Sequence, residues 1–199
     1  MLILQGTQLK DKIPYLYPMN YYCHHCQKLP LDNIHRAHHD TVYGLALTDE
    51  NELFGRLLME INQAGLSWDT ILKKEDNFRT AYSNFDIRKI ASYAEKDIDR
   101  LLNDAGIIRN RLKIHAAIYN AKRILEIQKE YGSFFLWIKK QEAADIKEWV
   151  KLFKKEFKFV GGEIVNEFLM SIGRIEGAHA PECHRYKKYV TERKKWVTN

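Results

Sequence analysis

The stretch E-I-N-Q-A-G-L-S-W, residues 60–68, joins two predicted helices, and the rest of the chain is organised around it. Upstream, apolar residues recur at three- and four-residue steps, which predicts the buried face of an amphipathic helix; they are Leu53, Leu57, Ile61 and Ala64. Gly65 is placed to end that helix, and Ser67 is a suitable N-cap for the next.

Glu60 lies on the apolar face of this predicted helix, seven residues after Leu53. A carboxylate there must be paired, hydrogen-bonded or facing a cavity, because an uncompensated buried charge is costly. The joint at Gly65 brings Trp68 near Glu60, so an aromatic surface and an anionic acceptor are expected to share one pocket. The alternative from the pattern alone is a helix-edge glutamate paired with a lysine beside an ordinary core tryptophan.

Helical periodicity continues through the middle of the chain, and no segment shows sustained strand alternation. We therefore predict an all-α fold, with helices over residues 53–64, 67–82, 87–93, 97–103, 111–131, 134–139, 148–157 and 163–172. Asp49, Asp86 and Ser133 are predicted N-caps, and Gly132 and Gly173 are predicted stops.

Composition limits the classes of protein that the sequence allows. The chain has 199 residues, 45% of them hydrophobic, which suits one folded globule. A net charge of +6 suits a polyanionic partner. No apolar run is long enough to cross a membrane, and the first residues do not resemble a signal peptide, so the cytoplasm is the expected location.

Cysteine and histidine crowd both ends of the chain. The sequence has three cysteines, two of them in C-H-H-C at residues 23–26, and H-A-P-E-C follows at residues 179–183. Soft thiolate and imidazole ligands at this density favour zinc over a disulfide framework. Two ligands from each end would form a tetrahedral site that ties the ends together, but spacing alone does not choose among the N-terminal candidates.

A second functional signal is the segment D-A-G-I-I-R-N-R, residues 104–111, between two predicted helices. A tight glycine turn that leads into a helix N-terminus presents backbone N–H groups to an anion. Arg109, Arg111 and Lys113 add positive charge around it. This arrangement binds a DNA phosphate without reading sequence; the alternative is a helical corner with no ligand.

Three runs of sequence closely resemble the DNA 3-methyladenine glycosylase I (Tag) family, within the helix-hairpin-helix DNA glycosylases. They are Q-A-G-L-S-W-x-T-I-L-K-K followed by N-F-R, D-A-G-I-I-R-N-R-x-K-I, and F-K-F-V-G, and the resemblance spans residues 26–183. It implies that Glu60 accepts a hydrogen bond from a flipped base and that Trp68 stacks on it. It also implies DNA contacts from Gly106, Ile107, Ile108, Arg109, Arg111 and Lys113, and structural zinc bound by Cys26, His39, His179 and Cys183.

The resemblance also constrains the chemistry. Asn110 stands where bifunctional glycosylases carry a lysine, and no aspartate occurs between Asp104 and Asp145. This favours a monofunctional enzyme that excises a cationic, weakly bonded alkylated purine, namely 3-methyladenine, from double-stranded DNA.

The sequence departs from the family pattern in and near the expected base pocket. His38 replaces a tyrosine, Tyr43 and Lys28 each replace a tryptophan, and Glu163 replaces a small hydroxyl residue. His38 and Tyr43 are still expected to line the pocket. Each change is worth about 1–3 kcal/mol in a pocket of this kind, so a shifted base specificity is an alternative.

We expect three segments: an extension of unknown role at residues 1–22, a glycosylase domain at 23–186, and a basic tail at 187–199. The protein is expected to act as a monomer. Two alternatives from other classes stay open: a non-catalytic binder of damaged DNA, and a zinc-stabilised helical module that binds protein partners. DNA affinity that falls steeply with salt would argue against the second.

Overall fold

The computed structural model describes residues 20–196, and this part of the chain is helical without a strand, in agreement with the predicted all-α class. The α-helices are α1 (Asn20–Gln27), α2 (Ile34–Thr41), α3 (Glu50–Gln63), α4 (Trp68–Leu72), α5 (Glu75–Ala81), α6 (Ile87–Ala91), α7 (Glu95–Asn103), α8 (Arg111–Tyr131), α9 (Phe134–Lys140), α10 (Ile146–Glu156), α11 (Gly162–Ser171) and α12 (Tyr186–Arg193). Among the helices described, none has the length and apolar content needed to span a membrane.

Helices α3 and α8 form the centre of the core. The Asp49 side chain caps α3 by accepting from the Glu52 N–H at 2.9 Å, and Gly132 ends α8 with a positive φ of 89°. Helix α6 packs on α8, and α11 packs on α3. A Cβ at Gly55 would collide with the Phe85 ring, so only glycine lets this ring lie directly on α3.

A second layer of the core is aromatic. Rings from α9, α10, α11 and the residue that follows α10 contact one another at centroid distances between 5.5 and 6.3 Å. All of them are almost fully buried, and offset or edge-to-face contacts of this kind add stability beyond their buried area; they belong to Phe134, Trp137, Phe153, Phe157 and Phe168. This layer positions α11 against α3.

The predicted helix at residues 67–82 is two helices in the structure, α4 and α5, separated by a turn at Lys73 and Lys74. The short helices α1, α2 and α12 were not predicted. Each spans eight residues and is largely polar, so no extended apolar period marks it.

The predicted segment boundaries fall within helices. Of the extension predicted at residues 1–22, residues 1–19 lie outside the described part, and the rest belongs to α1. The basic segment predicted as a tail from residue 187 begins inside α12 and is partly packed. Tyr189 and Trp196 are buried, and the Trp196 indole N–H donates to the Ile172 carbonyl at 2.9 Å. This segment is therefore anchored on the core through at least residue 196.

Candidate functional site

The joint between α3 and α4 positions the two residues singled out first. Glu60 lies in the last turn of α3 with 3% of its surface exposed. Ser67 caps α4 by accepting from the Thr70 N–H at 3.2 Å, which makes Trp68 the first residue of that helix. The glycine turn between the helices is therefore short and well defined.

A cavity of about 370 Å³ opens beside this joint, with His38, Arg56 and Trp68 among its lining residues. The His38 ring meets the Trp68 ring edge-on at a centroid distance of 5.3 Å. Within residues 20–196, neither His38 Nε2 nor Arg56 Nη1 has a hydrogen-bond partner, although both atoms are buried. Buried polar atoms are almost always paired, so these two atoms are available to a ligand or a water molecule in the cavity.

Arg56 lies one turn before Glu60 on α3 and favours its ionised form. Burial raises the pKa of Glu60 to about 7, and the attraction of Arg56 opposes part of this shift. Burial also lowers the pKa of Arg56. Burial, reinforced by Arg56, holds the pKa of His38 well below its usual range, so His38 is neutral. A cationic ligand in this pocket would therefore favour ionised Glu60.

Two tyrosines and a second carboxyl group connect to the pocket through His38, whose ring lies 6.0 Å from the Tyr43 ring. The Tyr22 ring, from α1, meets the Tyr43 ring edge-on at 5.7 Å. Tyr43 in turn donates a hydrogen bond from its hydroxyl to Glu167 Oε2 of α11 at 3.1 Å. Sequence reasoning missed Arg56, Tyr22 and Glu167. Only Arg56 left a signal, since it precedes Glu60 by four residues and lies on the same face.

A separate cluster brings together four buried side chains from the two ends of the described chain: Cys23, His39, His179 and Cys183. Three of the predicted ligands are therefore brought together, but Cys23 takes the place predicted for Cys26. Cys26 lies about one helical turn further along α1, and its thiol is 3.5 Å from the His35 carbonyl. The two cysteines therefore point to different surroundings.

The geometry of this cluster suits a tetrahedral metal. Cys183 Sγ is 3.6 Å from both His39 Nε2 and His179 Nδ1, and Cys23 Sγ is 3.8 Å from His179 Nδ1. Zn–S and Zn–N bonds of normal length in a tetrahedron separate sulfur from nitrogen by about 3.6 Å. These three sulfur–nitrogen distances are close to those of a tetrahedral site.

Outer contacts orient both histidines of the cluster. His39 Nδ1 lies 2.7 Å from Asp40 Oδ1, which leaves Nε2 toward the cysteine sulfur atoms. His179 Nε2 lies 2.9 Å from the Tyr43 carbonyl, which leaves Nδ1 toward them. Burial lowers the pKa of His179 to about 4, so its imidazole is neutral, the form that binds metals.

The segment between α7 and α8 forms a tight, braced hairpin. The Gly106 N–H donates to Asp104 Oδ1 at 2.7 Å, and the Gly106 carbonyl accepts from Lys74 Nζ at 2.9 Å. Ile107 is buried beneath the loop, while Ile108 is partly exposed.

The hairpin leads directly into α8, and its two arginines are both exposed. Asn110 caps the helix by accepting from the Lys113 N–H at 3.1 Å. Arg111 pairs with Glu95 at 3.1 Å. Within residues 20–196, no carboxylate pairs with Arg109, so it is the hairpin cation that is most available to an external anion.

Lys113 is not placed for the DNA contact predicted for it. It is 4% exposed, and its ammonium donates to the Asn62 and Ala64 carbonyls, both at 2.9 Å. These carbonyls lie at the C-terminal end of α3, where a helix lacks internal donors and favours a cation. Lys113 therefore joins the hairpin helix to the helix that carries Glu60.

The family model and the relatives that this chain resembles all carry the name methyladenine glycosylase. A family model described as methyladenine glycosylase matches residues 26–151. The chain is 35% identical over 180 residues to DNA-3-methyladenine glycosylase 1 of Escherichia coli K12, covering 81% of this chain and 96% of that protein. A relative from Haemophilus influenzae, named DNA-3-methyladenine glycosylase, is 32% identical over 179 residues, covering 79% of this chain and 95% of that protein.

Solved structures of 3-methyladenine DNA glycosylase I also match this chain. A variant of 3-methyladenine DNA glycosylase I in complex with 3-methyladenine matches with a TM-score of 0.70 and 33% identity, covering 78% of this chain and 93% of that one. The Staphylococcus aureus enzyme matches with a TM-score of 0.71 and 32% identity, covering 83% of this chain and 96% of that one.

Proposed function

Because the chain belongs to the methyladenine glycosylase family, we propose that it is a DNA-3-methyladenine glycosylase, a hydrolase that releases 3-methyladenine from damaged DNA. The observation that carries this proposal for these residues is the buried Glu60, one helical turn after Arg56 on α3. Arg56 lines a cavity together with Trp68 and His38, and Arg56 and His38 each have an unpaired polar atom. Such a pocket offers an aromatic surface and an anion to a flat cation.

In this proposal Trp68 stacks on the flipped base, and Glu60 accepts a hydrogen bond from its exocyclic amino group. His38 and Tyr43 line the pocket. The bond between the base nitrogen and C1′ of the sugar breaks, and a water oxygen forms the new bond to C1′ while its proton is released. The base departs as neutral 3-methyladenine, because the lesion carries its positive charge while it is attached to the sugar.

We propose further that the hairpin binds the DNA backbone as a helix-hairpin-helix motif. The backbone around Gly106, Ile107 and Ile108 approaches a phosphate at the N-terminus of α8, and Arg109 and Arg111 supply charge. The partner is then double-stranded DNA that contains alkylated bases, bound without sequence preference. The enzyme is expected to act as a monomer in the cytoplasm.

The four-donor cluster is proposed to hold structural zinc through Cys23, His39, His179 and Cys183. Four protein ligands leave no open position, so the metal supplies stability and takes no part in the reaction. The fit of the donor distances to a tetrahedron supports this assignment.

The deciding experiment incubates the protein with methylated duplex DNA and measures each released base by chromatography. We expect release of 3-methyladenine and no strand cleavage. A protein that binds this DNA but releases no methylated purine would be a non-catalytic binder. Release of another methylated base in greater amount would establish the shifted specificity that His38 allows, and borohydride trapping of a covalent complex would reveal a lyase.

A further inference from the structure

Helix α11 carries a second carboxyl group, Glu167, that interacts with Tyr43 and Glu60. Glu167 accepts a hydrogen bond from the Tyr43 hydroxyl at 3.1 Å and keeps part of its side chain accessible. Helix α11 packs directly on α3, which carries Glu60, and the Glu60 carboxylate acts on Glu167 through space. Two carboxyl groups from different helices therefore face the same region.

Burial, and then the charge of Glu60, raise the pKa of Glu167 well above its usual range, while the Tyr43 hydroxyl lowers it. Within residues 20–196, Glu60 of α3 and Tyr43 after α2 are the titratable groups that act on it. Arg56 stabilises the charged form of Glu60. Two interacting carboxyls cannot both ionise easily, so the negative charge resides on Glu60 and the proton on Glu167.

We propose that Glu167 is a specificity-determining residue whose protonated carboxyl donates a hydrogen bond to a ring nitrogen of the flipped base. The Tyr43 hydroxyl already donates a hydrogen bond to Glu167 Oε2. The proton of the carboxyl group is therefore carried on Oε1, which is the atom that donates to the base. This inference rests on the proposed function and adds a second polar contact to it.

The chemistry of adenine fits this pair of groups. Its N6 amino group is a donor beside the N7 acceptor, an edge that an asparagine or glutamine amide reads with one acceptor and one donor. Ionised Glu60 supplies the acceptor for N6, and protonated Glu167 supplies the donor for N7. Guanine carries acceptors at both O6 and N7, so its O6 would face the Glu60 carboxylate. The pair therefore selects adenine lesions over guanine lesions.

The test compares wild-type protein with Glu167→Gln and Glu167→Ala across a pH series that runs from neutral into the alkaline range. Release of 3-methyladenine and of 3-methylguanine from methylated DNA is measured at each pH. Glu142→Gln, an exposed glutamate before α10, is the matched control. Thermal unfolding and duplex affinity show whether each variant is folded.

We expect the wild type and Glu142→Gln to lose activity at alkaline pH, as Glu167 loses its proton. Glu167→Gln carries a permanent donor, so it should lack this alkaline decline and retain selectivity for adenine. Glu167→Ala should excise 3-methyladenine about tenfold more slowly, with a smaller preference over 3-methylguanine, since each correct base-edge pair is worth about 1–3 kcal/mol.

The same alkaline decline in Glu167→Gln as in the wild type would overturn the proposal, even if the alanine variant fails to fold. So would a folded alanine variant with wild-type rate and selectivity. If the wild type releases no methylated base, the proposed function fails first and this inference fails with it, which separates the two outcomes.

Discussion

His38 and His39 are consecutive residues of α2, yet their rings lie in two different sites. The His38 ring contacts Trp68 at a centroid distance of 5.3 Å, while His39 Nε2 lies 3.6 Å from Cys183 Sγ. Tyr43 also joins the two regions, because its carbonyl contacts His179 of the cluster and its hydroxyl contacts Glu167. The four-donor cluster is therefore linked to the pocket through α2 and Tyr43, and its disruption should disturb activity as well as stability.

The first prediction separates Cys23 from Cys26. Cys23→Ser should lose zinc and lower the melting temperature by about 5 °C or more, since the binding energy of a structural metal contributes to folding. Cys26→Ser should retain one zinc per chain. Metal content is measured by inductively coupled plasma mass spectrometry; zinc retained in the first variant and lost in the second would reverse the assignment.

The second prediction concerns Arg109. Arg109→Ala should weaken binding to duplexes of different sequence by similar factors and reduce the slope of log K against log salt by about 0.9. Arg111→Ala should have a smaller effect, because Glu95 already offsets part of its charge. Affinity is measured by fluorescence anisotropy at several salt concentrations, with Lys151→Ala on α10 as a charge-matched control. An unchanged slope in Arg109→Ala would remove the hairpin from the DNA interface.

The third prediction is that Lys113 stabilises the fold and does not contact DNA. Lys113→Met should lower the free energy of unfolding by about 1–3 kcal/mol, because two carbonyls at the end of α3 lose their donor. The salt slope of DNA binding should stay unchanged. Lys122→Met, an exposed site on the same helix, should alter stability by less than about 0.5 kcal/mol. A slope that falls as much as in Arg109→Ala would show that Lys113 reaches DNA.

The fourth prediction tests Glu60 in catalysis. Excision should fall on the acid side as Glu60 takes up a proton, with a midpoint at or below a pKa of about 7, because a bound cation favours the ionised form. Glu60→Gln removes this charge and should slow excision at least tenfold, which corresponds to about 1.4 kcal/mol, and the acid limb should disappear. Single-turnover rates across pH provide the measurement. An acid limb that persists in Glu60→Gln would assign it to another group.

The fifth prediction concerns stability and pH. The pKa of Glu60 is raised from 4.5 to about 7 on folding, so the stabilisation it provides is complete below pH 4.5 and is lost as pH rises through 7. Across this window the wild type should lose about 3 kcal/mol relative to Glu60→Gln. Urea unfolding of both proteins at several pH values measures the difference. Parallel curves would show that Glu60 is already solvated in the folded state.

Local patterns in the sequence predicted the central helices well. The apolar period and the capping residues of α3 and α8 lie within those segments, so Asp49 and Gly132 were found where the structure has them. That Cys23 and not Cys26 belongs to the four-donor cluster was not predictable in this way. Helix α1 carries no apolar period, and the rotation of a short polar helix decides which thiol faces the cluster.

Long-range contacts account for the remaining differences. Lys113 was counted with the surface cations because its charge is visible in the sequence, whereas its burial under α3 depends on tertiary packing. Glu167 and Tyr22 both contact Tyr43, and they come from α11 and α1, which are far apart in the chain. Side chains that meet only after the helices pack leave no local pattern in the sequence, so these contacts could not be predicted from it.

The four-donor cluster also has a consequence for the order in which the molecule assembles. Cys23 and His179 are separated by 156 positions, and His39 and Cys183 by 144. Closing so long a loop carries an entropic cost that grows with its length, while the contacts between α6 and α8 join nearby segments. We therefore expect the central helices to fold first and His38 and Tyr43 to reach their final positions last, when the four-donor cluster closes.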